Sequence, residues 1–288
     1  MENTGLITLE YVNTVIKERP EDVHKGQCGR VLIIAGSEGM AGAAVLATRG
    51  ALKSGAGLVK AAVPKPLFTI LQTAVPQATC TDVSEGFSRE MMDGYGAVAI
   101  GPGLGVDESK YLLIKDILRY YNGTVVLDAD GINCMCRFDK GLQHLSERKL
   151  PVVLTPHPGE GDRLLAALGG GSVKDKGRRA AAEEISVRTG AVVLMKGAGT
   201  AVTSREQGTY INTTGNPGMA TGGSGDVLTG VIAALAASGA EPFAAAAAGA
   251  FIHGLAGDIA AEKYGQWGMT SLEIEESLPA AFKRVVGK

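Results

Sequence analysis

The residues best suited to chemistry lie between Asn212 and Ser238, in the sequence NTTGNPGMATGGSGDVLTGVIAALAAS. A glycine-rich loop, Gly222-Gly223-Ser224-Gly225-Asp226, leads directly into apolar residues with helical spacing. The first backbone N–H groups of a helix have no partner within it, and the helix dipole adds partial positive charge there. Glycines also let a ligand approach the backbone closely. The stretch therefore predicts an anion-binding site suited to phosphate.

Asp226 stands where its carboxylate can meet both the bound anion and the start of the helix. It can accept a proton as a general base, or it can simply cap the helix. A plain glycine-rich turn with a capping aspartate is the simpler interpretation. The high density of glycines favours the anion site, because a helix cap alone does not need so many glycines. These glycines are Gly215, Gly218, Gly222, Gly223, Gly225 and Gly230.

Two further loops follow apolar strands and could contact a ligand. Lys196-Gly197-Ala198-Gly199-Thr200 comes directly after the strand Ala191–Met195, and its glycines expose the backbone. A lysine beside bare amides suits the phosphates or ribose of a nucleotide. The loop GPGLG follows the strand Gly96–Gly101. Ligands of open α/β sheets bind beyond the carboxyl ends of the strands, where both loops are expected.

Acidic and imidazole groups follow two other strands, with more than one interpretation each. Asp128 ends the strand Thr124–Asp128 and Asp130 follows it, at a place where carboxylates can bind Mg²⁺ or cap the next helix. The sequence leaves both possibilities open. His157 and Glu160 lie in a loop that two prolines stiffen. We expect His157 to contact a ligand, although a lone histidine is more often structural.

The surrounding pattern alternates short buried strands with helices, which predicts a parallel sheet and an α/β fold. We expect a single domain over residues 1–288. The predicted elements begin with a helix and a loop within residues 1–28. Strands are predicted at Arg30–Ser37, Leu58–Val63, Gly96–Gly101, Thr124–Asp128, Pro151–Thr155 and Ala191–Met195, and Thr200–Ser204 with Thr209–Ile211 is predicted to form a hairpin. Helices are predicted at Met40–Ser54, Lys110–Tyr120, Gly131–Cys136, Gly161–Leu168, Val173–Thr189, Pro242–Glu262 and Thr270–Val286.

Composition narrows the class of partner. The 288 residues carry a net charge of −2, which gives no reason to expect nucleic acid or an anionic membrane as a partner. No apolar run is expected to reach the length of a membrane span, and the N-terminus does not resemble a signal peptide. The four cysteines have no disulfide or zinc spacing, so reduced thiols in the cytoplasm are expected.

The motifs carry a family resemblance. GGSGD resembles the GAGD-type loop of ribokinase-like kinases, whose aspartate is the catalytic base. TPHPGE, KGAGT and GNPGMATGGSGD together resemble the ADP/ATP-dependent NAD(P)H-hydrate dehydratases of that superfamily. Further segments fit in order and spacing, including HKGQCGRVLIIAGS, IGPGLG, VVLDADGIN and FIHGLAGD. The resemblance implies a three-layer α/β/α sandwich with a mostly parallel central sheet.

The resemblance also implies a reaction. The family repairs hydrated NADH and NADPH (NADHX and NADPHX) by phosphorylating the hydroxyl of the hydrate and releasing phosphate, at the expense of ADP or ATP. Asp226 would be the catalytic base and a substrate contact. The implied nucleotide-binding residues are Lys196, Gly197, Ala198, Gly199, Thr200, Gly223 and Gly225. The implied contacts to NADHX or NADPHX are Gly42, Ala43, Gly103, His157 and Asp226.

Several expectations accompany this interpretation. Phosphoryl transfer implies Mg²⁺, for which the sequence identifies no certain ligands, and the family often forms tetramers. The first motif begins near residue 24, so the stand-alone form without the family's epimerase domain is expected. Arg178, Arg179 and Arg188 are expected to be solvated, and His253 to be packed within a helix. The alternatives are a vitamin-precursor kinase of the same fold and a nucleotide sensor without turnover.

Overall fold

A ten-stranded sheet forms the centre of the computed structural model, which describes residues 4–84 and 92–287. Its short strands consist mainly of β-branched and small apolar residues, which suit a sheet covered on both faces. The strands are β1 (Thr4–Ile7), β2 (Arg30–Ile34), β3 (Leu58–Val63), β4 (Thr79–Asp82), β5 (Ala97–Ile100), β6 (Thr124–Leu127), β7 (Val152–Leu154), β8 (Val192–Met195), β9 (Ala201–Ser204) and β10 (Gly208–Asn212).

The strand order is β1-β10-β9-β8-β7-β6-β5-β2-β3-β4. All neighbouring pairs are parallel except β8 with β9 and β9 with β10, so β9 alone among the described strands runs in the opposite direction. Ile34 is paired with Ile100, and Ile100 with Leu127. Because the central strands end in register, the loops that follow them meet at one edge of the sheet. We call this the carboxyl edge.

Twelve α-helices are described, and two 3₁₀ turns accompany them at Lys65–Leu67 and Pro217–Met219. The helices are α1 (Leu9–Val15), α2 (Ala41–Lys53), α3 (Phe68–Ala74), α4 (Glu108–Tyr120), α5 (Asp130–Arg137), α6 (Gly141–Glu147), α7 (Pro158–Ala167), α8 (Val173–Lys176), α9 (Arg178–Thr189), α10 (Ser224–Ala237), α11 (Pro242–Gly268) and α12 (Ser271–Val286).

The helices cover the two faces of the sheet with different side chains. On one face α2, α10, α11 and α12 pack through many alanines, and a Cβ on Gly230 would overlap the Ala47 carbonyl oxygen. On the other face α4 to α9 pack mainly through larger groups such as Ile114, Ile117 and Leu164. Alternate residues of the strands face opposite clusters, as Ile33 and Leu32 do. The three-layer α/β/α sandwich is thereby confirmed.

Most predicted elements occur within one to three residues of their expected bounds, as usual for helix and strand ends. The hairpin is confirmed as β9 and β10, which pair antiparallel. The expected single helix over Val173–Thr189 is wrong, because Gly177 has φ 79° and separates α8 from α9. The predicted helix Gly161–Leu168 begins earlier, at Pro158. Several elements are not predicted by the sequence pattern: β1, α3, β4 and α6.

Helix α11 is longer than predicted. It continues to Gly268 across a non-helical Gly265, and within the described residues it is the one helix long and apolar enough, by length and composition, to cross a membrane. The expectation that no apolar run reaches this length is therefore wrong. Of its most apolar window, 78% is buried inside the fold, where it packs against the sheet and α10. Its apolar character accordingly fits a core helix.

Candidate active site

The predicted anion site lies at the start of α10. Gly223 precedes the helix with φ 86°, a left-handed conformation that favours glycine. A Cβ at this position would also overlap Leu46 and lie 2.8 Å from Ser271 Oγ. No side chain caps the helix, which begins at Ser224. The capping interpretation of Asp226 is wrong, because Asp226 lies in the first helical turn and makes no cap bond.

The Asp226 carboxylate is half-buried and has no hydrogen-bond or ion-pair partner within the part of the chain that the structure describes. Burial raises its pKa to about 7, and the negative charges of Asp128 and Glu160 act in the same direction. The Lys196 ammonium opposes this rise. An unpartnered carboxyl group that titrates near neutral pH is suited to accept a proton from a ligand.

Lys196 lies among the carboxylates of this site. Its Nζ lies 2.7 Å from Asp128 Oδ1 and 4.0 Å from Glu160 Oε2. Burial alone would favour the neutral amine, but Asp128 and Glu160 raise the pKa of Lys196, and Asp226 adds to this. A Cβ on Gly225 would lie 3.2 Å from Lys196 Nζ. The lysine therefore reaches the glycine-rich loop Gly222–Asp226, which we call the anion loop. The structure therefore brings together Lys196, Gly225 and Asp226.

The second oxygen of Asp128 is also occupied. Thr229 Oγ1 donates a 2.7 Å hydrogen bond to Asp128 Oδ2, and both residues are fully buried. This bond joins the first turns of α10 to the end of β6. Thr229 is not among the predicted site residues, although its position three residues after Asp226 places both side chains on one side of the helix. That spacing was the available signal.

The Asp128-Ala129-Asp130 turn excludes one of the two interpretations left open above, helix capping, and leaves Mg²⁺ binding a prediction. Asp128 forms the ion pair with Lys196, and Asp130 begins α5 while its Oδ2 accepts a 2.8 Å hydrogen bond from the Gly105 amide. Neither carboxylate caps a helix N-terminus. Ala129 has φ 46°, a strained conformation for a residue with a Cβ. The turn thus fixes both aspartates relative to the neighbouring loop.

The loop Lys196–Thr200 is held from both sides. The Lys196 amide donates to Pro156 O at 2.9 Å, and Thr200 Oγ1 donates to Gly197 O at 2.9 Å. The Arg178 guanidinium donates to Ala198 O and covers Gly197. Arg178 was expected to be solvated, and that expectation is wrong because its side chain is half-buried against this loop.

A cavity of about 560 Å³ adjoins the same loop. Its lining includes Gly199 and Ala201, with Arg178 and Arg179 on the helical side. This volume is within the range of small-molecule pockets. Arg179 also pairs with Glu183 at 2.9 Å, and Arg188 lies 3.5 Å from Glu184, so both form surface ion pairs on α9.

His157 and Glu160 form a capping box at the start of α7. The Glu160 carboxylate accepts from the His157 amide at 2.8 Å, and His157 Nδ1 accepts from the Gly159 amide at 3.0 Å. His157 Nε2 lies 3.1 Å from Glu160 Oε1. Burial, together with the charge of Lys196, lowers the pKa of His157. The ring is half exposed, so it can still contact a ligand at the carboxyl edge.

The residues predicted to contact the hydrate lie beside each other on α2 and the loop after β5. A Cβ on Gly103 would lie 2.9 Å from Ala43 Cβ, and Ser37 Oγ donates to Gly103 O at 2.8 Å. Gly42 has no heavy atom within 4 Å of where a Cβ would stand, so its face is open. Leu46, one turn along α2 from Gly42, reaches Gly223. This places the group next to the anion loop.

His253 is buried, as predicted. Its Nε2 lies 3.4 Å from Ser224 Oγ, at the first residue of α10. Burial lowers its pKa to about 4, so the ring is neutral at neutral pH. The His253 side chain therefore packs against the start of α10 as a polar group without a charge.

The sheet and the loop before α10 define the class first. A ribokinase from Thermotoga maritima shares the fold, with a TM-score of 0.57 at 13% identity, covering 87% of this chain and 99% of that one. The chain thus has a ribokinase-like α/β fold, with a carboxylate at the start of α10 that has no partner among the described residues. It belongs to the NAD(P)H-hydrate dehydratase family, whose sequence profile matches residues 31–280.

Individual relatives agree with this assignment. The bifunctional NAD(P)H-hydrate repair enzyme Nnr of Moorella thermoacetica is 40% identical over 294 residues, covering 98% of this chain and 54% of the relative. An ADP-dependent (S)-NAD(P)H-hydrate dehydratase of Neisseria meningitidis is 37% identical over 252 residues, covering 87% and 83%. The chain spans about half the length of the bifunctional relatives.

A solved structure extends the likeness to the whole fold. The ADP/ATP-dependent NAD(P)H-hydrate dehydratase from Bacillus subtilis, co-crystallised with ATP/Mg²⁺, has a TM-score of 0.85 at 30% identity. The match covers 99% of this chain and 100% of that one.

Proposed function

We propose that this chain dehydrates NADHX and NADPHX to NADH and NADPH, using ADP or ATP, in the cytoplasm. The observation that carries the proposal is the Asp226 carboxyl group, half-buried, unpartnered among the described residues and with a pKa raised to about 7. It lies in the first turn of α10, where bare amides attract a phosphoryl group. Family membership supports the same activity.

The reaction has two steps. Asp226 removes the proton of the hydrate's hydroxyl group as that oxygen attacks the terminal phosphorus of the nucleotide, and the bond from this phosphorus to its bridging oxygen breaks. The amides of Gly223 and Gly225 would stabilise the charge on the transferring group. Phosphate then leaves with the former hydroxyl oxygen, and loss of a proton from the adjacent ring carbon restores the double bond. Phosphorylation helps because phosphate is a much better leaving group than hydroxide.

The remaining residues would position the two substrates. Lys196 lies close enough to Gly225 to neutralise nucleotide phosphates, and the cavity beside Gly199 can receive the rest of the nucleotide. Gly42, Ala43, Gly103 and His157 would contact the hydrate, with Asp226 at the reacting hydroxyl. These positions rest on the motifs and on the adjacency of their loops.

The residues present fit Mg²⁺ that arrives with the nucleotide. Within the described residues, no group of three or more His, Cys, Asp or Glu side chains could hold a metal ion alone. Both oxygens of Asp128 and both oxygens of Glu160 have protein partners, which leaves Asp226 as the carboxylate of this cluster that is free to meet the metal. Mg²⁺ typically binds through one or two carboxylates, water and substrate phosphates. When bound, it would neutralise charge on the phosphates.

The chain is also proposed to form a homotetramer. Trp267, the single tryptophan, is fully exposed at the end of α11, and Tyr264 is partly exposed nearby. Exposed aromatic residues are enriched at protein interfaces. Light scattering of the purified protein should give four times the mass of the chain, whereas a monomer mass would contradict the proposal.

The decisive experiment is a repair assay with purified protein, NADHX or NADPHX, and ADP or ATP compared side by side. The expected result is growth of the absorbance of reduced nicotinamide with release of one phosphate per turnover. A stable phosphorylated product from hydroxymethylpyrimidine or a thiazole alcohol, without repair, would support a vitamin-precursor kinase instead. Nucleotide binding without either product would identify a sensor.

A further inference from the structure

The loop that leads into the anion site, residues 213–223, lies against one side of α11. Thr214 Oγ1 donates to Phe251 O at 2.8 Å, and a Cβ on Gly254 would overlap the Thr214 side chain. One turn further, a Cβ on Gly257 would overlap Met219. These positions on α11 are three or four residues apart, so they share one face of the helix. Small residues there let the loop lie directly on the helix.

Asp258 provides the polar attachment on this face. Its Oδ2 accepts a 2.9 Å hydrogen bond from the Gly215 amide, and its Oδ1 accepts a 2.9 Å hydrogen bond from Asn216 Nδ2. Asn216 in turn holds the next part of the loop, because its Oδ1 accepts a 3.0 Å hydrogen bond from the Gly218 amide. Asp258 forms no ion pair within the described residues. Both of its oxygens therefore serve the loop.

The other end of the loop meets the same helix. His253, five residues before Asp258, lies 3.4 Å from Ser224 Oγ. Between these two points Gly222 is exposed and has no heavy atom near its Cβ position, and Ala220 is also exposed. The conformation of residues 213–223, and with it that of the anion loop, thus depends on how the two ends of this segment are held. Asp258 is the charged group that holds the beginning.

We propose that Asp258, acting through Asn216, is a positioning residue for the anion loop and hence for phosphoryl transfer. This inference rests on the proposed function. The carboxylate touches neither substrate; it fixes the start of the loop whose later amides bind the phosphoryl group. Displaced amides would weaken stabilisation of the transferring phosphoryl group more than they weaken binding of the hydrate.

A swap of the two side chains tests the proposal. In Asp258→Asn, the new amide still accepts from Gly215, but its NH₂ group faces the NH₂ group of Asn216. In Asn216→Asp, two carboxylates face each other, which is more damaging. In the double variant Asp258→Asn/Asn216→Asp, the amide introduced at position 258 donates to the carboxylate introduced at position 216, and the bonds from Gly215 and Gly218 are both kept. The net charge of the double variant equals that of the wild type.

Three measurements are made on each variant: kcat with ADP, KM for NADHX, and amide hydrogen exchange of residues 213–223. We expect kcat to fall about tenfold in Asp258→Asn and further in Asn216→Asp, with KM within about threefold. The double variant should recover to within about threefold of wild type. Glu262→Gln is the matched control, because Glu262 lies one turn along α11 and, among the described residues, pairs only with the exposed Arg284.

Hydrogen exchange separates failure of this inference from failure of the proposed function. If the wild type shows no repair, the exchange of residues 213–223 still shows whether the swap restores loop protection. Single variants with wild-type kcat and wild-type exchange would overturn the inference. So would a double variant that stays as impaired as the worse single variant. An equal change in all regions of the chain would indicate general destabilisation and would also contradict it.

Discussion

The two edges of the sheet differ in how their buried charged groups are partnered. At the amino edge, before β6 and β7, Arg148 donates to the carbonyl oxygens of Leu118 and Gly123, and Tyr121 Oη donates to Tyr95 O at 2.8 Å. Burial lowers the pKa of Arg148 to about 10; its two terminal nitrogens donate to carbonyl groups, while its buried Nε has no partner among the described residues. These bonds hold the end of α4 against the starts of the strands.

At the carboxyl edge, one charged group has no protein partner at all among the described residues. Asp226 has no partner among the described residues, Ala129 is strained, and Lys196 is shared among several carboxylates. Such features lower stability and are typical of sites that await a ligand. The comparison teaches that one edge is arranged for stability and the other for chemistry. Substitutions at the two edges should therefore separate activity from stability.

The largest effect is expected from Asp226→Asn. The amide cannot accept the hydroxyl proton, so kcat/KM for repair should fall about 10³-fold or more. Steady-state kinetics measures this loss. Asp116→Asn on α4 is a control of the same chemistry, since Asp116 lies away from the loops of the site. Near wild-type activity in Asp226→Asn would contradict the catalytic assignment.

The same variant should be more stable than wild type at pH 8. The folded-state pKa of Asp226 is raised from 3.8 to about 7, so its neutral form stabilises the fold below pH 4. This contribution is lost as the pH rises from about 4 through 7. Asp226→Asn removes the loss and should gain about 1 to 3 kcal/mol in the free energy of unfolding at pH 8. Urea denaturation at pH 4 and pH 8 measures the difference, and an equal gain at both pH values would be inconsistent with this cause.

The next largest effect is expected from Lys196→Met, which should lower both the repair activity and the free energy of unfolding. Asp128 and Glu160 are buried and would lose their cation, at a cost of about 3 kcal/mol in the free energy of unfolding. Activity should fall about 100-fold, because the nucleotide phosphates lose a neutralising charge. The double variant Lys196→Met/Asp128→Asn should recover much of the stability without recovering activity. Recovery of both would place Lys196 outside the nucleotide site.

At the amino edge, Arg148→Met should cost stability alone. The change leaves the carbonyl groups of Leu118 and Gly123 without their donor, at about 2 kcal/mol in the free energy of unfolding. The value of kcat should stay within about twofold of wild type. Lys149→Met is the matched control, since Lys149 is exposed. Loss of activity at unchanged stability would break the distinction between the two edges.

The comparison also explains which parts of the site could be predicted. The anion loop, Lys196 and Asp226 were found because glycine density and loops after apolar strands are local signals. The partners of Asp128 were not, since Lys196 and Thr229 are far from it in sequence and meet only through strand order. Arg178 was missed for the same reason: its contact with Ala198 crosses from α9 to the next loop.

The fold could be predicted further than the site. Strand and helix periodicity identified the parallel core, because apolar patterns are repeated along each element. The edge strands β1 and β4 were missed, since they are short and partly exposed and so lack a strong apolar pattern. The break at Gly177 depends on a single left-handed glycine inside a helical pattern, which periodicity does not reveal.

The smallest effect concerns the pH dependence of the carboxyl edge. Repair should require ionised Asp226, so kcat/KM should rise through a pKa of about 7 as the pH increases. Glu160 is one of the negative charges that raise this pKa, and Glu160→Gln removes its charge while the amide oxygen can still accept from the His157 amide. The rising limb should therefore move to lower pH, by roughly half a unit. A matched profile of Glu262→Gln should not move. Movement of the limb to higher pH would show that Glu160 acts on Asp226 mainly through Lys196, whose charge lowers the same pKa.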